Sequence, residues 1–435
     1  MGVLVFTAFL SGQSLFEKVE AEQKDRGMSY EMNGYLRSVL FVGKVPEKNA
    51  GETKSVYGEA SLKLRLRKKN FGDAFAEVRF RRGFEFHESL AEFNLREAYV
   101  NAYLGPFDFR VGHQIVVWGR ADGINPTDNI TPKNMLARSP DEDDRREGNF
   151  LIRSYCTLQP IRLEAIWIPA YRSSVVPIDL LTLPPGIHVA EPDYPDPSLG
   201  NSAFALRLNL ELASFDGSIS YFNGHDPFPG LAAEFPQTLG NDLSLDVFLK
   251  SYRMHTLGAD FQTTVAGSFG LRGEMAYRKP CGHYERNAHI PNPDLTFVLG
   301  VDKEFSGNFS LILQYLGKYV FDFEELMRPK NLVELPIYEL EQKNRLIFSQ
   351  QYRLSHSFFG RAEKALFYET LKIELLSMLN ITTEEFLLRP KITYDITDEL
   401  TLIFGGELFS GPEDTLFGSI DSALNSVFLE LRAFF

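Results

Sequence analysis

The sequence is poor in cysteine and tryptophan, has no excess of positive charge, and contains no long apolar run. Its two cysteines, Cys156 and Cys281, lie far apart in 435 residues, so a disulfide is possible but its geometry cannot be judged from the sequence. The net charge of −13 argues against nucleic acid as a partner, because nucleic-acid binding requires a basic surface. No stretch reaches the roughly 18 consecutive apolar residues of a membrane-spanning helix, so we exclude such a helix.

The sequence does contain many segments in which apolar and polar residues alternate. The last ten residues show the pattern clearly: Val427, Leu429 and Leu431 share one face, and Phe428 and Glu430 share the other. A period of two is the signature of a β-strand. An alternating strand that ends the chain on a phenylalanine resembles the last strand of bacterial outer-membrane barrels. That resemblance implies lipid on the outside of the molecule.

The same alternation recurs from about residue 29 to the end, and we count 18 strands, with 16 as the alternative because 358–383 is ambiguous. The predicted fold is all-β: a single transmembrane antiparallel β-barrel over 29–435, preceded by a truncated leader and N-terminal segment at 1–28. High phenylalanine and tyrosine contents, 37 and 18 residues, fit interfacial aromatic girdles. The alternative is a soluble β-sandwich or propeller, in which the apolar face of each strand forms a core.

Short and long connections alternate along the chain, which is the pattern of short periplasmic turns and long outer loops. The predicted short turns lie at 69–72, 105–106, 159–160, 214–217, 267–268, 306–308, 355–360 and 397–399. The predicted long loops lie at 44–54, 86–91, 120–148, 173–200, 225–251, 281–292, 321–340 and 411–424, with a tighter break near 380–383.

The charged face of the predicted strands points into the lumen. Rings of charge in a water-filled lumen set ion selectivity, whereas mutual pairing of these groups would only brace the wall. The first strands are basic, and a cationic stripe on one wall favours anionic solutes such as carboxylates. The predicted pore-lining residues are Lys63, Arg65, Arg67, Glu77, Arg79, Arg81, Arg110, Arg153, Arg162, Arg207, Glu211, Arg272, Glu274, Arg345, Arg353 and Arg389.

One strand-to-loop motif stands out between residues 112 and 128. It comprises Gly112-His113-Gln114, Trp118-Gly119 and Asn125-Pro126-Thr127-Asp128. This motif resembles that of a poorly characterised Gram-negative outer-membrane family with the pattern Gly-Arg-Gln, Trp-Gly and Asn-Pro-x-Asp. The histidine at 113 departs from the usual arginine. A looser resemblance is to alginate-export porins. These resemblances imply a porin-like channel or export barrel for small polar molecules.

The loop that follows the motif, at about 120–148, is rich in turn-forming residues and long enough to be functional. We expect it to fold into the lumen and narrow it, with its acidic run facing basic wall residues such as Arg79 and Arg81. An extracellular flap is the alternative. The residues predicted for this constriction are Trp118, Arg120, Asp122, Asn125, Asp128, Asp141, Asp143, Asp144, Arg145 and Arg146.

Two other function classes stay open at this point: a barrel that sheathes a partner protein, and a transporter of lipid or another hydrophobic substrate. We expect no enzyme, because no known catalytic motif occurs, and no cofactor. Cys281, His283 and His289 share a loop, but their spacing matches no metal site. The expected location is the bacterial outer membrane, with membrane lipid and small solutes as partners, a periplasmic or export partner as a possibility, and a monomer or trimer of barrels.

Overall fold

The computed structural model describes residues 28–45, 50–69, 71–86, 88–176, 178, 187–234, 245–281, 287–331 and 334–435. Residues 1–27 of the predicted leader and N-terminal segment at 1–28 lie outside the described residues, and so does His283 of the loop with Cys281 and His289. Alternating segments form strands, as the period of two predicts. The strands are β1 (Met28–Val45), β2 (Ala50–Lys68), β3 (Gly72–Glu85), β4 (Glu88–Leu104), β5 (Phe107–Gln114), β6 (Asn149–Leu158), β7 (Ile161–Ile168), β8 (Ile187–Val189), β9 (Ala203–Glu211), β10 (Phe215–His225), β11 (Gly230–Glu234), β12 (Leu245–Lys250), β13 (Arg253–Val265), β14 (Phe269–Pro280), β15 (Asp294–Phe305), β16 (Phe309–Val320), β17 (Leu354–Leu366), β18 (Leu371–Asn380), β19 (Glu385–Thr397), β20 (Leu400–Ser410) and β21 (Ser426–Phe434).

Eighteen of these strands form one closed antiparallel barrel, which confirms the predicted fold class and strand number. Each barrel strand pairs with its neighbours in sequence, and β1 closes the ring by pairing with β21 from Tyr35 opposite Phe434 to Val42 opposite Val427. The remaining strands, β8, β11 and β12, form a small separate sheet in the long loops.

Two helices and a short 3-10 helix interrupt the loops of the described chain. They are α1 (Leu335–Ile347), α2 (Leu416–Leu424) and the 3-10 helix Glu142–Arg145. Neither α-helix has the length and apolar character required to cross a membrane. All three belong to connections at the end of the barrel that carries the long loops.

The barrel wall has apolar side chains outside and polar ones inside, the reverse of a soluble protein. On the outside, Leu36 is 55% exposed and Leu257 is 59% exposed. On the inside, Arg37, Glu59 and Glu430 are buried. Such an exterior is stable only against hydrocarbon, because large contiguous apolar surfaces are unfavourable in water. The soluble sandwich or propeller is therefore wrong.

Two predicted wall residues do not lie on barrel strands. The alternation around 345–354, between the predicted loop at 321–340 and the predicted turn at 355–360, predicts a strand that carries both residues, but Arg345 lies on α1 and Arg353 lies in the loop before β17. The helix begins beside Pro336, and the run of Glu, Leu, Gln, Lys and Arg that follows consists of good helix formers. A short apolar alternation does not distinguish a strand from one face of such a helix.

The predicted turn at 355–360 is also wrong, because these residues lie inside β17 and the turn follows at 367–370. The tighter break near 380–383 is confirmed, since β18 ends at Asn380 and β19 begins at Glu385. Two of the predicted long loops, 44–54 and 86–91, are largely strand. The polar residues in these two ranges lie on the ends of β1, β2 and β4, which extend beyond the apolar outer surface of the barrel.

Candidate functional site

The inner face of the barrel brings together the other predicted wall residues. The register sets the charges of adjacent strands side by side: Lys63 lies opposite Glu77, and Glu59 lies opposite Arg81. Because side chains alternate across a strand, the charged residues lie on the face opposite the apolar exterior. The predicted wall residues on this inner face are Lys63, Arg65, Arg67, Glu77, Arg79, Arg81, Arg110, Arg153, Arg162, Arg207, Glu211, Arg272, Glu274 and Arg389.

Most of these wall cations are neutralised by carboxylates. Arg81 Nε lies 3.0 Å from an oxygen of Glu59, and Arg207 Nη2 lies 2.8 Å from Asp260 Oδ2. A similar pair joins Arg272 to Asp302. Ion pairs of this kind stabilise the wall and reduce the net field in the lumen.

Three wall arginines pack on aromatic rings instead. Arg110 lies 4.2 Å from the ring centre of Tyr99, and Arg162 lies 4.2 Å from that of Tyr155. Arg65 lies 5.2 Å from the ring centre of Phe75. Within the described residues none of these three arginines forms an ion pair, so their charges face the lumen without a carboxylate partner.

The connection between β5 and β6, residues 115–148, contains the predicted loop at about 120–148 and turns inward at Trp118. The Trp118 side chain is fully buried in a cluster with residues of β6, β7, β9 and β10, and its indole N–H donates to Glu164 at 3.4 Å. Gly119 follows with φ +102°, a conformation that side chains rarely adopt. In the Trp-Gly pair, Trp118 thus packs into an apolar cluster, and Gly119 permits the backbone conformation with which the chain turns inward.

The next turn of this segment is held by one glutamate on β14. Glu274 accepts hydrogen bonds from the backbone N–H groups of Arg120, Ala121 and Thr127 at 2.8–3.0 Å, and one from the Thr127 hydroxyl. Arg120 also donates from Nε to Asp260 on β13 at 2.6 Å. These bonds fasten the start of the segment to a wall remote in sequence from β5.

The acidic run lies against other parts of the wall. Asp144 accepts hydrogen bonds from Arg37 on β1 at 2.7 Å and from Arg79 on β3 at 2.6 Å. Burial would raise the pKa of Asp144, but the two guanidinium groups and the Ser139 hydroxyl outweigh it and hold the pKa well below its usual range. Contact with Arg81, which we also expected, is absent from the described structure, because Arg81 pairs with Glu59.

The other acidic residues of the segment serve several local contacts. Asp122 accepts from Arg361 on β17 at 3.0 Å, and Glu142 accepts from Arg389 on β19 at 2.8 Å. Asp141 caps the short 3-10 helix, and its carboxylate accepts from the Asp143 N–H. The remaining predicted residues form bonds within the segment. Arg146 donates to the Asp128 carboxylate at 2.6 Å, and the Asn125 carbonyl accepts from the Asp128 N–H. The Arg145 carbonyl accepts from the Asn134 N–H.

Several of the residues that hold this segment were not predicted from the sequence. Glu59 lies four residues before Lys63 and therefore on the same face of β2, so the period of two could have identified it. Arg37 lies between Leu36 and Ser38 and gives a weaker signal. Arg138 gives no such signal. Its buried guanidinium lies 3.0 Å from Glu407 on β20 and donates to the carbonyl oxygen of Leu424.

A cavity of about 350 Å³ lies between this segment and the wall from β13 to β18. Polar groups from both sides line it, with Asn125 and Lys133 on the segment and Arg278, Asp294 and Lys318 on the wall. The Arg278 guanidinium donates to Asp294 at 2.9 Å. Apolar side chains such as Met254, Leu316 and Phe348 also line the cavity, so its surface is mixed, and its volume is large enough for a small molecule.

No family model matches the chain, and no characterised protein matches it by sequence. Among solved structures, OccAB3 of Acinetobacter baumannii superposes with a TM-score of 0.53 at 9% identity, covering 94% of this chain and 99% of its own. OpdL of Pseudomonas aeruginosa gives 0.52 at 9% identity, covering 94% and 98%. OccD3 (OpdP) of the same species gives 0.50 at 12% identity, covering 93% and 90%.

These solved proteins are Gram-negative outer-membrane porins. At such low identities the similarity demonstrates a shared fold. The resemblance of the 112–128 motif to a particular outer-membrane family stays a prediction. Together with the apolar exterior, the fold locates the chain in the outer membrane of a Gram-negative cell. The chain has the closed-barrel fold of the Gram-negative outer-membrane porins.

Proposed function

We propose that this protein is a porin-like channel for small polar solutes, in which the segment 115–148 narrows the lumen. One observation carries the proposal: the segment leaves β5 and forms bonds with strands on widely separated parts of the ring. The segment contacts side chains on four strands: Glu274 on β14, Arg361 on β17, Arg389 on β19 and Arg37 on β1. A segment tied to such distant strands crosses the interior of the barrel.

The proposal extends to a preference for anionic solutes. Arg65, Arg110 and Arg162 stack on aromatic rings without carboxylate partners among the described residues. They belong to β2, β5 and β7 and form the proposed cationic stripe. This stripe differs from the one that the basic first strands led us to expect, since Lys63, Arg67, Arg79 and Arg81 pair with Glu77, Glu31, Asp144 and Glu59, and only Arg65 of that set has no carboxylate partner among the described residues. Uncompensated charge in a narrow aqueous lumen concentrates ions of the opposite sign.

The two rival functions fit the geometry less well. A sheath for a partner protein requires a wide empty lumen, whereas the segment occupies the interior through buried ion pairs. A lipid transporter requires an apolar path or a gap between strands. In the described residues every barrel strand is hydrogen-bonded to both of its neighbours, and the interior is polar. One chain closes the wall, so a single barrel suffices for conduction, and the channel needs no catalytic residue.

Deletion of 121–146 tests the constriction. The purified full-length protein and the deletion variant, with a short Gly-Ser linker in place of the segment, are compared in planar bilayers. We expect a larger single-channel conductance for the variant. Unchanged conductance in a correctly folded variant would remove the constriction, and the absence of any conductance in the intact protein would contradict the channel itself.

A further inference from the structure

The outside of the wall formed by β10, β13 and β14 changes character toward the long-loop end. In the register of these strands, Tyr221, Leu257 and Tyr277 form one outward-facing row. Below that row, Ile219 is 59% exposed and Met275 is 45% exposed, as expected for side chains in contact with hydrocarbon. Tyrosines at the edge of an apolar belt mark the membrane–water interface.

The two rows beyond these tyrosines are polar and basic. In the first, Asn223, His255 and Lys279 lie opposite one another across the three strands. In the second, Arg253 lies opposite Cys281, whose N–H donates to the Arg253 carbonyl at 2.7 Å. Arg253 and Lys279 are diagonal neighbours across β13 and β14, and since such neighbours in a sheet are about 7–8 Å apart, their charges share one small patch.

The basic groups of this patch are held by neutral partners. Arg253 donates from Nε to the Asn223 side-chain oxygen at 2.8 Å and from Nη1 to the Gly200 carbonyl at 2.8 Å. His255 Nδ1 lies 2.7 Å from the Tyr221 hydroxyl. Neither Arg253 nor Lys279 forms an ion pair with a carboxylate in the described part of the chain. Among the described residues, the geometry therefore presents two cations without a carboxylate partner on the outer wall.

The pKa of Cys281 supports this placement. Burial raises the pKa of its thiol, and the positive charges of Arg253 and Lys279 oppose the rise. Both cations are thus close enough to act on the same sulfur atom. The pairing of β16 with β17 offers a comparison, since His356 lies 2.6 Å from the Tyr315 hydroxyl on the outer surface. The residues opposite and next to this pair, Gly317 and Leu354, carry no charge, so the outer wall at β16 and β17 lacks a comparable pair of cations at these positions.

We propose that this basic patch binds the phosphate groups of lipopolysaccharide in the outer leaflet. The tyrosine row fixes the depth of the hydrocarbon boundary, and the two rows above it lie where the phosphorylated headgroups of that leaflet begin. Arginine and lysine recognise phosphate through charge-assisted hydrogen bonds, and basic residues beside anionic headgroups contribute about 1 kcal/mol each. The inference rests on the outer-membrane placement but not on conduction through the lumen.

The test measures binding of purified lipopolysaccharide to the full-length barrel in a neutral detergent, with enzymatically dephosphorylated lipopolysaccharide as a second ligand. The test variant is R253Q/K279Q. The control variant, K68Q/K303Q, removes two exterior cations from the turn end of the barrel, where Lys68 and Lys303 lie near Phe71 and Phe269. The control variant therefore has the same net charge as the test variant, but its two lost cations lie at the opposite end of the barrel.

Loss of two cations at about 1 kcal/mol each predicts about 30-fold weaker binding of lipopolysaccharide to R253Q/K279Q. The control is expected to bind as the wild type does, and dephosphorylated lipopolysaccharide is expected to bind the wild type and R253Q/K279Q equally. Circular dichroism verifies that each variant is folded. Equal binding of lipopolysaccharide to the wild type and R253Q/K279Q would overturn the proposal. Bilayer conductance of R253Q/K279Q, expected to match the wild type, separates failure of this inference from failure of the proposed channel.

Discussion

Gly119 packs so closely against Glu274 that a β-carbon at position 119 would lie 2.6 Å from either carboxylate oxygen. The same carboxylate accepts the N–H groups of Arg120 and Ala121, so it cannot withdraw without losing those bonds. The Trp-Gly pair of the sequence motif therefore has a physical explanation. Only glycine satisfies both the backbone conformation at 119 and the space left by the glutamate.

Replacement of Gly119 by alanine is the first prediction. We expect the free energy of unfolding to fall by about 2–3 kcal/mol, because the change adds backbone strain and displaces a buried, bonded carboxylate. Urea unfolding in detergent, followed by tryptophan fluorescence, measures the change. The matched control is Gly105→Ala at a turn, where φ is also positive but nothing lies within 4 Å of the new β-carbon; it is expected to cost about 1 kcal/mol. Equal losses for the two variants would contradict the role of Glu274.

Arg138 and Glu407 give the second prediction. Their side chains are almost fully buried, at 1% and 3% exposure, and lie 3.0 Å apart. Among the described residues, Arg138→Ala leaves Glu407 with Arg389 as its one remaining ion-pair partner. Breaking a buried pair of this kind costs about 3 kcal/mol of unfolding free energy. The double variant R138M/E407Q is expected to lose less than the sum of R138M and E407Q. Strict additivity in a urea-unfolding cycle would show that the two groups do not interact.

The barrel could be predicted from the sequence because its determinants are local and repeated. In the last strand, Val427 is 53% exposed to the outside whereas Phe428 is 2% exposed, as the alternation predicts. Each strand carries the same pattern, so errors in one place do not change the fold. The strand predicted at 345–354 failed because its residues suit a helix as well, and nothing nearby in the sequence decides between the two.

The path of the 115–148 segment could be predicted only in part. Its length and acidic run indicated a role, and one expected partner of the acidic run, Arg79, does contact Asp144. The other contacts join residues far apart in the chain: Asp122 and Arg361 are separated by 239 positions. A single sequence contains no information on such a distant pair, and Arg138 has no periodic neighbours to distinguish it from any loop arginine.

Asp144 gives the third prediction, on pH. Its pKa in the folded protein lies below the ordinary value of about 4 in an unfolded chain. The stability that this carboxylate contributes is therefore fully present above the unfolded value and is lost only as the pH falls through the folded value. We expect conductance to be the same at about pH 7 and about pH 5.

The variant Asp144→Asn removes the charge at every pH, so it is expected to loosen the segment from Arg37 and Arg79 and to raise conductance and current noise at neutral pH. The matched control is Asp143→Asn, whose side chain is 76% exposed and contacts Arg146; we expect little change for it. An increase in wild-type conductance between pH 7 and pH 5 would show that another group holds the segment.

The fourth prediction concerns the three arginines that stack on aromatic rings. In water, one charge at a distance of about 8 Å changes the energy of a monovalent ion by about 0.5 kcal/mol, which is a factor of about 2 in local concentration. Because the charge attracts anions and repels cations by the same factor, Arg65→Gln, Arg110→Gln and Arg162→Gln are each expected to lower the anion-to-cation permeability ratio by about 4-fold, and the triple variant is expected to lower it further. Reversal potentials in a potassium chloride gradient measure the ratio.

Arg67→Gln is the control, because Arg67 is half exposed and already paired with Glu31 at 3.2 Å, so solvent screens its charge. If the triple variant and the control gave the same ratio as the wild type, the stacked arginines would have no part in selecting the solute, although the constriction by the 115–148 segment would be unaffected.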